Sequence, residues 1–590
     1  MKRILLLIVV FLTSLSSLFA ERISLEKAMR IATNVANSHV KTKSSSALSC
    51  VYTAPAKGIV QTKGSAVVAD YYVFNIGKEQ GFVIVSGEDR VAPILAYATI
   101  GSYKAKNLPS NIKAWMESYQ DQIYFAVNNL DEAPAEVKEQ WLEYEAGVIT
   151  RAGEDVVLPT AKWDQSAPYN WMCPKIDGKH ALSGCVATSQ AIVMKYHKYP
   201  SKAFGGVKSY KGDTVIYKQY EWDKMLNKYP YTGGYSDEEG FAVAELMWHC
   251  GANVEMDYDL NESSAFSKNM VKSLIENFGY DKQTRILPRN SYKKGVWENL
   301  IKQEIDQNRP ILYGGSTTDG AGHAFICDGY NSSESRFHFN WGWSGYCDGF
   351  FLLTLLDPKM SGQAFSEYQD MIIGVQPDKG NDYVKELRIF NGILQGGIDI
   401  VGMECLSKEI KVSKPFNVST SFLNTGNTAF NGSVNIALVD KDNTIRSIVG
   451  KRDFSIQELE QGFLYYDISV LCFIPSSIEL VSTDKLVTVY KEANDKEWKV
   501  MEGGDNAVTE ILLTENPPVG IEKEVANKNI YTLQNTIFVE NIDPCLVLIY
   551  NIDGKLLKQI TYDGGQMQVP MPKGLYFVHT KNESRKVFVP

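Results

Sequence analysis

The chain contains no Cys-x-x-Cys pair, and its seven histidines do not stand beside its nine cysteines at zinc-ligand spacing, which excludes a zinc finger or ribbon. It has no excess of basic residues: 60 Lys and Arg stand against 69 Asp and Glu, a formal net charge of -9, so there is no electrostatic footprint for nucleic acid. Beyond residue 20 no apolar run reaches the ~18 residues a membrane-spanning helix needs, and no transmembrane segment is expected. The cysteines, at positions 50, 173, 185, 250, 327, 347, 405, 472 and 545, are scattered and odd in number, so a disulfide framework is not expected and at least one thiol is free. Nothing in these patterns calls for a metal or a cofactor.

What is present is a long chain of ordinary globular composition. Its 590 residues, 44% hydrophobic and 22% charged, suffice for three or four domains, each with its own core. Residues 1–20 read as an export signal, with Lys2 and Arg3 before an apolar core and small residues towards Ala20. Residues 23–40 have helical apolar spacing; 66–74, 81–86 and 91–99 are β-rich; 111–130 and 135–145 are helical; 147–159 reads as a linker. Helices are then expected over 237–250, 266–278 and 291–307, followed by short β runs at 311–314, 324–328, 337–341 and 349–355, a helical half followed by a β half. From about residue 382 the chain is β-like with Asn/Gly turns, as in a sandwich. The segments 517–520 and 522–529 read as a break and linker before a last small β unit.

The chemistry is concentrated at one cysteine. Ser183 and Gly184 are loop and capping types, Ala187, Ala191 and Met194 recur at helical spacing, and Pro200 supplies a stop, so Cys185 is expected at the N-terminus of a helix. Unpaired amides and the positive end of the helix dipole favour a thiolate there. A thiolate nucleophile needs a base, and His323 is the candidate: glycines precede it, a β run follows it, and it lies 138 residues after Cys185 (323 − 185), within the ~130 to 150 interval of papain-like enzymes. Of the other histidines, His180 is in the loop before Cys185, His197 is about three turns along the same helix, His249 reads as core, and His338 lacks the glycine setting. Cys327, four positions after His323 on a strand, is about 13 Å from it and cannot share a metal ion with it.

Several ordered motifs then resemble one family. Trp163-Asp-Gln165, Pro168-Tyr-Asn170, Gly184-Cys-Val-Ala-Thr188, Lys195-Tyr-His-Lys-Tyr-Pro200, Glu245-Leu-Met247, Val254-Glu-Met-Asp-Tyr258, Gly322-His-Ala-Phe325, Asn340-Trp-Gly-Trp-Ser-Gly345 and Asp348-Gly-Phe-Phe351 are similar to the streptopain-like C10 cysteine peptidases, over residues 163–377. The resemblance implies an α+β fold: a papain-like two-lobed catalytic domain preceded by an α+β propeptide and followed by all-β sandwich-like domains. It implies Cys185 as nucleophile, His323 as general base, Gln165 as oxyanion-hole donor and Trp341 as the third member, with Asn340 a rival on chemical grounds because an indole N–H only donates. Trp343 reads as core packing. An apolar side chain two positions before the scissile bond is the implied preference. Tyr71-Tyr-Val-Phe74 and Gly81-Phe-Val-Ile-Val-Ser-Gly87 resemble the inhibitory propeptide of that family. Val547-Leu-Ile-Tyr-Asn-Ile-Asp-Gly-Lys555 and Lys573-Gly-Leu-Tyr-Phe-Val578 resemble a C-terminal sorting domain of type IX secretion.

The expected organisation is therefore a signal at 1–20, a propeptide at 21–150, a peptidase domain at 151–380, a β-sandwich at 381–520 and a sorting domain at 525–590. The expected function is that of a secreted cysteine endopeptidase made as a zymogen. Its partners would be protein or peptide substrates, its own propeptide and the outer-membrane secretion machinery. Two other readings of the same residues are an acyl-transfer enzyme, a transpeptidase or transglutaminase, and a non-enzymatic surface binding protein with a vestigial dyad.

Overall fold

The computed structural model describes residues 22–39, 47–61, 67–106, 108–149, 153–204, 207–210, 213–216, 218–316, 322–356, 369–394, 398–407, 409–513, 530–533, 536–540, 544–551, 556–564, 566–572, 574–580 and 584–589. The export signal and the segments 517–520 and 522–529 lie outside the described residues. The first helix, α1 (Leu25–His39), buries Ala28, Ile31, Ala32, Val35 and Ala36, the stripe its 3.6-residue period predicts. Strands β1 (Leu48–Pro55), β2 (Ala69–Ile76), β3 (Phe82–Ser86) and β4 (Ile94–Ala98) form an antiparallel meander, followed by helices α2 (Ser110–Asn129) and α3 (Ala135–Ala146). β2 to β4 are almost continuously apolar because both faces are covered. Tyr72, Phe74 and Val83 pack with α1 and α3, whereas Tyr71, Val73 and Ile84 pack on the α2 side.

This meander does not close on itself. β5 (Asp155–Val157), the hairpin β6 (Lys175–Ile176) and β7 (Lys179–His180), helix α4 (Cys185–His197), the hairpin β8 (Val207–Tyr210) and β9 (Asp213–Ile216), and α5 (Asp237–Asn253) come next. Ser236 and Glu239 form a reciprocal capping box at the start of α5, a cap of about 1 kcal/mol. The short helix α6 (Asn269–Lys272) runs on into a π-turn over Ser273–Asn277. The remaining elements are β10 (Arg285–Pro288), α7 (Lys294–Asp306), β11 (Ile311–Ser316), β12 (Gly322–Asn331), β13 (Arg336–Asn340), β14 (Gly349–Leu352) and β15 (Gln369–Ile373).

β14 pairs with β4, Phe350 opposite Tyr97 and Phe351 opposite Ala96, so one sheet runs β1-β2-β3-β4-β14-β13-β12-β11-β15-β10 with β5 added on β12. The expected linker thus contains a strand, since Asp155 to Val157 pair with Asn331 to Gly329. One face of the sheet buries Tyr313, Phe325, Phe339 and Trp341 under α2 and α7, and the other buries Leu312, Ala324, Ile326 and Ile372 under α4 and α5. That is the α+β arrangement with a helical lobe and a β lobe, with β1, β10 and β15 as strands the apolar pattern did not reveal.

The described residues of 387–512 form a four-stranded and a six-stranded sheet packed around Ile389, Phe416, Phe422, Phe430, Ile436 and Leu486, with a separate hairpin at Gly392–Leu394 and Ile398–Ile400. They dock on the segment before α7. Arg388 Nε donates to the Ser291 carbonyl at 2.8 Å and its guanidinium lies 4.0 Å over the Tyr292 ring, and Asp505 Oδ2 accepts from the Lys294 N–H at 2.8 Å. The described residues from 530 onward make two further sheets of three and four strands around Ile537, Val539, Val547 and Val578.

Trp115 of α2 is the chief contact across this fold, its ring edge-on to Tyr313, Phe325, Phe339 and Trp341. Trp115→Ala is expected to cost the precursor about 3 to 5 kcal/mol, measured by denaturant unfolding, because the cavity opens within a shared core.

Candidate active site

Helix α4 is buried on every side from Val186 to Lys195, so it shows no amphipathic stripe, and its first residue is Cys185. Gly184 before it has φ +83°, and a Cβ there would lie 2.6 Å from Met256 Sδ and 3.0 Å from the Ser263 carbonyl oxygen. Only glycine both adopts that conformation and lets the 256–263 loop press against the helix start. The loop is fixed there by two bonds, the Leu182 N–H to the Asp259 carbonyl at 3.1 Å and Ser263 Oγ to the Leu182 carbonyl at 2.8 Å. From the β lobe, the Ala324 N–H donates to Cys185 Sγ at 3.5 Å.

His323 stands beside Ala324 on β12, opposite Gly315, with its ring 8% exposed. Its Nδ1 lies 3.8 Å from Glu262 Oε1, a carboxylate that is 61% exposed on the 259–264 loop. Among the described residues no hydrogen bond joins Cys185 to His323. Burial pushes the Cys185 thiol up; the amides of Ala324, Val186 and Cys185 itself pull it back, and the Glu262 charge adds to the rise. Burial lowers the His323 imidazole, and Glu262 opposes that. With the N-terminal unit in place the two groups therefore favour a neutral thiol and a neutral ring. The helix terminus is expected to favour a thiolate; in this form burial of the half-buried Cys185 outweighs the partial charges at the helix end.

Gln165 reaches the same place through its backbone. Its carbonyl accepts from the Ser183 N–H at 3.1 Å, and Asp164 Oδ1 accepts from the Gln165 N–H at 2.6 Å. Gln165, Cys185, Ala324, Asn340 and Trp341 line one narrow crevice. Trp341 is fully buried, its Nε1 donating to the Cys347 carbonyl at 3.0 Å and its ring 4.6 Å from that of Phe325. Asn340 spends its amide on Thr160 Oγ1 at 3.0 Å and the Ala161 carbonyl at 2.9 Å, while its Oδ1 accepts from the Gly342 N–H. Asn111 of α2 covers this corner: it donates to the Trp341 carbonyl at 2.9 Å and accepts from Trp343 Nε1 at 3.1 Å, so Trp343 is tied to α2 as well as packed on the core.

The rival histidines are occupied. His180 Nδ1 is 2.7 Å from the Cys173 carbonyl, His249 Nδ1 is 2.8 Å from Tyr220 Oη, His338 Nδ1 is 2.5 Å from Asp328, and half-buried His197 packs edge-on to Tyr280. Cys327 is fully buried. Among the described residues no group of three His, Cys, Asp or Glu side chains is arranged to hold a metal ion. Glu262 is the neighbour that sequence reasoning missed. The signal available was the acidic stretch from Glu255 to Glu262, which has no basic residue within it.

Comparison with known proteins places these residues in context. The model of the Peptidase C10 family matches residues 163–351, and that of the Spi protease inhibitor matches residues 20–123. The chain is 35% identical over 351 residues to streptopain of Streptococcus pyogenes serotype M28 (strain MGAS6180), an alignment covering 54% of this chain and 83% of that protein. It is 31% identical over 396 residues to the thiol protease/hemagglutinin PrtT of Porphyromonas gingivalis, covering 64% of this chain and 44% of that one. A solved structure of a Prevotella intermedia prointerpain A fragment is 28% identical, with a TM-score of 0.43, covering 52% of this chain and 95% of the fragment.

Glu262 raises both Cys185 and His323, so removing its charge should move both downward. In the Glu262→Gln precursor the midpoint of iodoacetamide alkylation at Cys185, read site by site by peptide mapping against pH, is expected to be lower than in the parent. The difference from the parent should shrink with added salt, because the carboxylate is exposed.

Proposed function

The chain belongs to the peptidase C10 family, and on that footing we propose that it is an exported cysteine endopeptidase made as a precursor, with Cys185 as nucleophile and His323 as general base. The observation that carries this reading is the contact between lobes at the start of α4, where the Ala324 N–H meets Cys185 Sγ and leaves His323 as the adjacent residue. In the active form the Cys185 thiolate would attack a peptide carbonyl, and His323 would protonate the leaving amine. A water molecule activated by the same ring would then release the acyl group from the thioester. Two donors are available for the oxyanion, the Cys185 N–H and the Gln165 side-chain amide, each worth roughly 3 to 4 kcal/mol in the transition state.

Trp341 takes the third position as a wall. Its indole N–H is committed to Cys347, so it would shield the ring of His323 without accepting its proton. Asn340 is tied to the 160–161 segment, which favours Trp341 for this role. The N-terminal unit, residues 21–150, holds the precursor latent: Asn111 and Trp115 sit on Trp341 while the imidazole is turned to Glu262. Removal of that unit would free the corner for His323 to meet Cys185. In this scheme residues 151–380 are the peptidase, 381–520 a docked β-sandwich, 525–590 the sorting domain for passage across an outer membrane, and 1–20 the export signal. Among the described residues no helix is long and apolar enough to cross a membrane.

Cys185→Ala should leave a folded precursor that neither cleaves casein nor matures itself, and retained cleavage would remove Cys185 from the mechanism. Alkylation of Cys185 by iodoacetamide should be far faster in the matured enzyme than in the precursor at the same pH. Equal rates would mean that the N-terminal unit does not occlude the site.

A further inference from the structure

Asp370 of β15 stands in register with Gly314 of β11, and Gly314 in register with Ala324 of β12. Directly paired residues share a face of a sheet, and here the alternation identifies which one. Leu312, Ile326 and Ile372, each two positions along from one of these residues, pack in the core of α4. Asp370 therefore lies on the same face as Ala324, whose N–H touches Cys185 Sγ at 3.5 Å.

The carboxyl does not point away from the site. A Cβ built on Gly314 would meet Asp370 Oδ1 at 2.2 Å and Cγ at 3.0 Å, so the carboxyl leans over Gly314 towards Ala324 and the absence of a side chain at 314 makes the room. Adjacent strands are about 4.8 Å apart, which leaves the carboxyl roughly one strand spacing from Ala324. Among the described residues no cation and no hydrogen-bond donor engages it. Burial alone pushes its carboxyl up to about 6, so at neutral pH it is largely ionised in a site that does not compensate the charge. A partly buried carboxylate with no partner among the described residues is costly, and a substrate cation is the partner that would offset it. Glu262, on the opposite lip beside His323, adds a second negative charge to the same neighbourhood.

We propose that Asp370 is a specificity-determining residue that reads a lysine or arginine side chain of the substrate within three residues of the scissile bond. The inference rests on Cys185 and His323 being the catalytic pair. An extended peptide advances ~3.3 Å per residue, so side chains that close to the reacting carbonyl can reach across Gly314. The open floor at Gly314 and Ala324 suits an apolar stem, and the carboxylate suits a cationic end, which is the construction of lysine and arginine. An apolar subsite, as the family resemblance implies, is thereby given a charged base.

The test is a positional library of fluorogenic peptides cleaved by the matured enzyme, comparing lysine with methionine at each of three positions on either side of the bond. The ratio of kcat/KM values is the readout, because a change in the amount of folded enzyme leaves it unaltered. The parent enzyme should prefer lysine at one position by tenfold or more, and Asp370→Asn should bring that ratio to within about twofold of unity. Asp370→Ser serves the same purpose if the asparagine variant does not mature. A parent enzyme with no basic preference at any of the six positions overturns the inference, and so does a ratio unchanged in the variant. A Cys185→Ala control separates the two levels: if it retains cleavage, the catalytic assignment has failed, whereas an inactive control with an unchanged Asp370 ratio removes only the specificity assignment.

Discussion

The pairing of β4 with β14 is the constraint on which the molecule depends. Through it the N-terminal meander and the catalytic sheet become one surface, with Phe350 and Phe351 as its joint. A sheet covered on both faces needs two sets of helices, and the chain supplies them from different places: α2 and α7 for one face, α4 and α5 for the other. Cys185 heads one of these helices, and α2 of the N-terminal unit closes over the opposite face. The N-terminal unit is thus held by the same contacts that bury the core. The Asn111 bonds to Trp341 and Trp343 are the polar part of that closure.

A second consequence is electrostatic. The amides at the head of α4 and the Ala324 N–H favour a charged sulfur, yet burial wins in this closed form. For His323 the balance is the same, with burial against one exposed carboxylate. Charge separation within the pair becomes favourable once water or a second charge reaches it, because each ion then compensates the desolvation of the other. Burial of this kind favours the neutral thiol at Cys185. The acidic neighbours Glu262 and Asp370 lie outside that pair and bear on what approaches it.

The site was legible to different depths. The helix start at Cys185 could be read because caps, helical spacing and a stop are local signals, and the strand at His323 because a β run follows its glycines. Gln165 and Trp341 were reached through family motifs, and their partners were not visible. That the Trp341 indole is spent on Cys347, or that Asn340 is spent on residues 160–161, depends on loops that meet only after folding. Glu262 and Asp370 were missed because an isolated carboxylate reads as a solvated surface group. β5 was read as linker because its three residues carry no apolar period and acquire their conformation from β12.

The sequence by itself determined the main helices and strands and the all-β character of the C-terminal half, and it singled out Cys185 and His323 as candidates, since each follows from periodicity, capping or spacing within a short span. Only the tertiary structure decided that the first unit and the peptidase share one sheet, that burial raises the Cys185 thiol, and that Glu262 lies beside His323. The reason is physical. Strand pairing between residues 97 and 350, and the desolvation of a sulfur by two lobes, are sums over groups distant in the chain, and no local pattern encodes such a sum.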